Sequence, residues 1–126
     1  MSTSVGDTSY RAWVAAGALA GLLAVLAAAG AAHLSGSGGG DARALGSAVQ
    51  MHELHALALV LVGLWGARGG RLTHAAGAAF VVGLLLFCGT IYSAALGGPS
   101  IGRLAPVGGT AFMLGWALLG VSALRR

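Results

Sequence analysis

The stretch Gln50-Met51-His52-Glu53-Leu54-His55 gathers two imidazoles and a carboxylate at the head of an otherwise apolar run. Histidines three apart lie on one side of a helix, where two rings can hydrogen-bond across to a neighbour or ligate a metal. The letters HELH do not make the zinc-protease motif. That motif needs histidines four apart, with the glutamate placed to activate a metal-bound water. Elsewhere, His33, Cys88 and Tyr92 also fall in apolar stretches, and Arg103 sits in a short link.

Three kinds of chemistry fit these residues. Neutral histidines can hydrogen-bond between helices, accepting at one ring nitrogen and donating at the other. His33, His52 and His55 could together hold a transition metal or a haem, although no fourth ligand is evident. A proton relay or a pocket for a small polar ligand is the third, with His33, His52, Glu53, His55, Tyr92 and Arg103 as its candidate residues. A lone cysteine in apolar surroundings is inert, so Cys88 reads as a packing residue. His74 reads as a cap or surface residue. No nucleophile–base pair, phosphate loop or pair of catalytic carboxylates is visible, so no catalytic residue is assigned. Gly38-Gly39-Gly40 lacks the lysine of a phosphate loop.

The elements that must position these groups follow from composition. The chain has 126 residues, 57 % hydrophobic and 8 % charged, with mean hydropathy +0.87. Soluble domains carry roughly 25 % charged residues, so a water-facing globule and a disordered chain are both excluded. The length suits a single domain over residues 1–126. The net charge of +4 comes from scattered arginines, not from the basic face that nucleic acid requires. The expected surroundings are the lipid bilayer, with no nucleic-acid partner.

A helix needs about 20 apolar residues to cross a bilayer core. Four segments approach that length, at about 11–34, 41–66, 74–96 and 106–124. They predict an all-α, four-span antiparallel bundle. The first run exceeds the roughly 7–15 residues of a signal-peptide core, which favours a retained span. Residues Met1–Tyr10 are polar and should fray. SGSGGG at 35–40 should turn, and Asp41 should cap the next helix by accepting its free N–H groups. Leu45, Ala48, Val49, His52 and Ala56 should share its buried face. ARGGRLT at 67–73 should form a turn. Gly97-Gly98-Pro99 should end the third span, and Pro106 suits the first turn of the fourth.

Cationic residues favour the cytoplasmic side of a membrane. With four spans, Arg11, Arg68, Arg71, Arg125 and Arg126 share one side, against Arg43 and Arg103. Both termini should therefore be cytoplasmic. His55 then lies roughly 16 Å, and His52 roughly 21 Å, from the cytoplasmic end of its helix. Cys88 has a depth similar to His52. Charged groups this deep are costly, so His55 should turn inward, toward His33 or the Cys88–Tyr92 face. Glu53 points about 100° away from His52, toward the outer interface or Arg103. Trp13 and Trp65 suit the interfacial belt. Gly17/Gly21, Ala79/Gly83 and Ala111/Gly115 repeat a four-residue small spacing that permits close helix contact. Packing within one bundle is the expected use, and a seam with a second copy or another membrane protein is the alternative.

Several of these segments, in order and spacing, resemble one family. They are Gly30-Ala31-Ala32-His33, His52-x-x-His55-Ala56-Leu57-Ala58, Gly83 through Tyr92, and Pro106 through Trp116. The chain is similar to the small membrane proteins of the domain of unknown function 423 and transmembrane protein 256 family. Met51 stands where that family usually has tyrosine, Glu53 where it is apolar or aromatic, and Cys88-Gly89-Thr90 where it has Ser-Gly-Ser. The resemblance implies a four-span protein of the bacterial inner membrane and no established activity. The expected function is that of a small non-enzymatic membrane protein. Its histidine-rich polar cluster would serve structure or bind a partner or ligand, with no cofactor; a metal- or haem-binding protein is the alternative.

Overall fold

The computed structural model describes residues 5–35, 41–99 and 101–125. These are all-helical, with no strand among them. Helix α1 spans Val5–Ser35 and α2 spans Ala42–Gly83. A five-residue π-helical stretch, Leu84–Cys88, leads into α3, Gly89–Ala95. Helix α4 spans Leu104–Leu124. Among the described residues three continuous helical segments are long and apolar enough to cross a membrane: Thr8–Leu34, Ala42–Ala95 and Leu104–Leu124. The expected count of four is thus met by three continuous segments, the second 54 residues long.

That long segment does not run straight. Gly70 has φ 61° and ψ −144°, a region open essentially to glycine alone. Cys88 Sγ lies 3.3 Å from the carbonyl oxygen of Ala48, forty residues away. In a straight helix those residues would be roughly 60 Å apart. The chain therefore doubles back at Gly70. ARGGRLT, expected as an irregular turn, is helical on both sides of that single residue. Only Gly70 need leave the helical region, so the flanking backbone keeps its hydrogen bonds.

Two other boundaries differ from expectation. The polar N-terminus is helical from Val5 instead of frayed to Tyr10, while residues 1–4 lie outside the description. Tyr10 is held because its ring fills the recess over Gly66, where an added Cβ would collide with it. Helix α4 starts at Leu104, two residues before Pro106. Proline is tolerated there because first-turn N–H groups have no helical partner. Of the expected turn at 35–40, Ser35 ends α1 and residues 36–40 lie outside the description. Asp41 does cap α2, accepting from the Arg43 and Ala44 N–H groups at 3.1 Å. Gly97, at φ 79°, turns the chain after α3.

Helix α2 is the hub. Among the described residues α1 packs against α2 alone, whereas α4 packs against α2, the π-helical stretch and α3. Small residues set the register. Gly17 of α1 sits so close to α2 that a Cβ would fall 2.8 Å from the Ala56 carbonyl oxygen. Val14 lies over Gly63 and Tyr10 over Gly66, so α1 runs antiparallel to this arm of α2. Beyond Gly70, Phe80 fills the recess at Gly115, Phe112 fills the one at Gly83, and Gly108 abuts Phe87. Apolar helices in lipid associate through such contact rather than by escaping water. Gly21 is looser than expected, with the Ala56 methyl 4.0 Å from a would-be Cβ. The outward side is leucine-rich: Leu19, Leu22, Leu57, Leu64 and Leu85 are all exposed.

Two substitutions test this packing. Gly70→Ala should destabilise the protein by about 1–3 kcal/mol, the usual cost of a disallowed backbone region. Gly120→Ala, where a Cβ meets nothing within 4 Å, should be neutral. Thermal unfolding in detergent reads both, and equal midpoints for the two variants would contradict the geometry at Gly70.

Candidate functional site: two histidine clusters in the helical core

His55 is 2 % exposed and has both ring nitrogens engaged. Nδ1 lies 2.7 Å from the Met51 carbonyl oxygen, one turn back. Nε2 accepts from the Trp116 indole N–H of α4 at 3.1 Å. Indole nitrogen only donates and a carbonyl only accepts. The ring must therefore be neutral, with its proton on Nδ1. Its face stacks on Phe112, centroids 3.7 Å apart and planes within 15°. Phe80 and Trp116 flank it. The histidine turns inward as expected, but toward α4 instead of His33 or the Cys88–Tyr92 face.

His52 turns to a different neighbour. Its Nδ1 lies 3.0 Å from the Tyr92 hydroxyl of α3. The ring also has a hydrogen-bonding interaction with the Ala20 backbone of α1. One imidazole thus ties α2 to α1 and α3. Next to it, the buried Cys88 thiol donates to Ala48. The preceding π-helical turn accommodates an extra residue, which sets the angular positions of Cys88 and Tyr92. Such turns recur at functional sites. His52 and His55 are near in sequence yet serve separate clusters.

The remaining expected members do not join them. His33 is exposed in the last turn of α1. It lies thirteen residues beyond Ala20, a displacement of roughly 20 Å along the helix from the His52 level. Glu53 and Arg103 are exposed. Among the described residues no group of three or more His, Cys, Asp or Glu side chains could hold a metal ion. The donor set His33, His52 and His55 is not assembled.

A third aromatic–histidine contact lies at the other end of the molecule. Trp13 donates its indole N–H to His74 Nδ1 at 2.8 Å, and Tyr10 stacks on the same ring at 4.6 Å. His74, expected as a cap or surface residue, instead joins α1 to the returning arm of α2. Trp116 and Phe112 also went unrecognised as partners of His55. A signal existed for Trp116: eight residues from the end of α4, it stands roughly 12 Å from that end, close to the depth of His55. Nearby, Trp65 Nε1 and Thr73 Oγ1 are buried without partners, on either side of the bend.

Trp116→Phe keeps the apolar ring and removes the donor to His55. Leaving Nε2 unpaired should cost about 1–2 kcal/mol. In the double-mutant cycle with His55→Phe, the loss from Trp116→Phe should largely vanish, because the group it strands is gone. Unfolding in detergent measures both, and additive losses would contradict the bond.

The model of the family described as protein of unknown function (DUF423) matches residues 26–109. A UPF0382 membrane protein from Haemophilus influenzae (strain ATCC 51907 / DSM 11121 / KW20 / Rd) is 30 % identical over 107 residues, which is 82 % of each chain. No solved structure matches the chain. The match to the family model, covering more than half of the sequence, includes His33, His52, His55, Cys88 and Tyr92. The chain belongs to the DUF423 family.

Proposed function

We propose that this is a small, non-enzymatic integral protein of the bacterial inner membrane. It crosses four times, with both termini cytoplasmic, and its buried histidines lock the helices to one another. The single observation that carries the role of the histidines is the double engagement of His55, with Met51 at one nitrogen and Trp116 at the other. A ring nitrogen that accepts an indole proton has no lone pair left for a metal. His52 supports the same reading through its link to Tyr92.

The four crossings are supported by length. The 54-residue segment Ala42–Ala95 would measure roughly 80 Å if straight, against a hydrocarbon core of about 30 Å. The reversal at Gly70 divides it into two lengths that each suit one crossing. Arg68 and Arg71 flank that reversal, on the side where Arg11, Arg125 and Arg126 also fall. Arginine is retained on the cytoplasmic side, which supports the orientation. The relative's designation as a membrane protein agrees.

His55→Phe should lower the unfolding midpoint in detergent without changing metal content. Purified wild-type protein should show neither stoichiometric transition metal nor a haem absorption band. A bound metal or haem that disappears in His55→Phe would establish the metal-centre alternative. For topology, a C-terminal reporter in intact cells should read as cytoplasmic; a periplasmic signal defeats the four-crossing arrangement.

A further inference from the structure

Because, among the described residues, α1 packs against α2 alone, a cleft of about 380 Å³ remains between α1 and the π-helical stretch. Its walls include Leu19, Leu23 and Leu85, all exposed on the outward surface. Its lining also includes His52, Cys88 and Tyr92. A concave apolar space with a few convergent polar groups is the usual form of a small-molecule site. We propose that this cleft binds a lipid quinone, its ring against the His52–Tyr92 pair and its hydrocarbon tail directed into the bilayer.

The occupant is narrowed by the chemistry of the lining. Among the described residues no cationic side chain lines the cleft, so an anionic head would find no counter-charge there. A phospholipid head is charged or strongly hydrated and would have to leave the interface to reach His52, at a cost of several kcal/mol. An uncharged head that is itself soluble in hydrocarbon incurs no such penalty. A head that also donates a hydrogen bond to the Tyr92 oxygen is favoured over a bare alkane. A quinol ring satisfies these conditions, and the quinone shares its shape and its solubility in hydrocarbon.

A neutral His52 that donates to the Ala20 backbone carbonyl accepts the Tyr92 proton at Nδ1. The tyrosine oxygen then keeps a free lone pair for a quinol hydroxyl, so the reduced ring is the form that the pair bonds directly. Cys88 is less available, because its thiol is already directed at Ala48.

This inference rests on the proposed membrane embedding for the choice of head group and for the course of the tail. The topology assay tests that embedding separately from ligand binding.

The test uses the full chain in phosphatidylcholine nanodiscs with decylubiquinone, in its oxidised and reduced forms, as the probe. Binding is read by equilibrium partition against empty nanodiscs and by the shift in unfolding midpoint that ligand linkage produces. Wild-type protein should bind saturably, and decanol, which has the chain without the ring, should not. Gly89 lines the cleft, and a Cβ there meets nothing within 4 Å. Gly89→Leu should therefore occupy the space and weaken binding at least about tenfold while the protein stays folded, as helical circular dichroism would show. Tyr92→Phe should weaken it about tenfold, the worth of one hydrogen bond. Partition no greater than into empty nanodiscs, equal affinity in Gly89→Leu, or saturable binding of decanol as tight as that of the quinone would overturn the proposal.

Discussion

Hydrocarbon offers a polar atom nothing to bond with, so each imidazole in this helical core must find its partners inside the protein. His55 meets that constraint completely. A carbonyl on its own helix takes one ring proton, and an indole on α4 supplies another to the opposite nitrogen. Because the two partners have fixed roles, the tautomer, the charge and the ring orientation are all determined together. The stacking on Phe112 then follows, since a ring held edge-on by two hydrogen bonds has only its faces left to pack. Much of the α2–α4 contact is arranged around that one side chain.

The close approach of the helices makes those bonds reachable. Phe80 sinks over Gly115 and Phe112 over Gly83. Each glycine removes the side chain that would hold the phenyl ring away. The aromatic rings then form two pairs, Phe87–Phe112 and Phe80–Trp116, joined through the His55 ring that contacts Phe112 and Phe80. On the other side of α2, Gly17, Gly63 and Gly66 admit α1 in the same manner. That second contact places the Ala20 backbone against His52 and brings Trp13 to His74. Among the described residues α1 is held by α2 alone, and its separation from the π-helical stretch is what leaves the lateral cleft open.

The three histidine contacts share a design. In each, a histidine meets an aromatic side chain that carries a single polar hydrogen: Trp116 for His55, Tyr92 for His52, Trp13 for His74. An aromatic donor buries a large apolar area and contributes one directed hydrogen bond. Such pairs specify which helices meet and at what height, at little cost in exposed polarity. A purely leucine-lined interface would allow the helices to slide.

Composition and periodicity were enough to determine an apolar all-helical chain, the cap at Asp41, the buried face running from Leu45 to Ala56, and the inward turn of His52 and His55. These depend on local backbone rules and on the cost of polar groups in lipid, both of which act on short segments. The single-residue reversal at Gly70 was hidden because the seven residues ARGGRLT contain two adjacent glycines and look irregular throughout. The partners were hidden for a different reason. Spacing on α2 shows that His52 and His55 lie on one side of a helix, but they differ by about 60° around its axis. That difference is enough to send one toward α1 and α3 and the other toward α4. Which neighbour stands at each angle depends on the crossing of helices joined through distant turns. It was therefore the tertiary packing that separated His52 from His55, paired Trp116 with the latter, and left His33 roughly 20 Å along α1 from the place where a common metal would have required it.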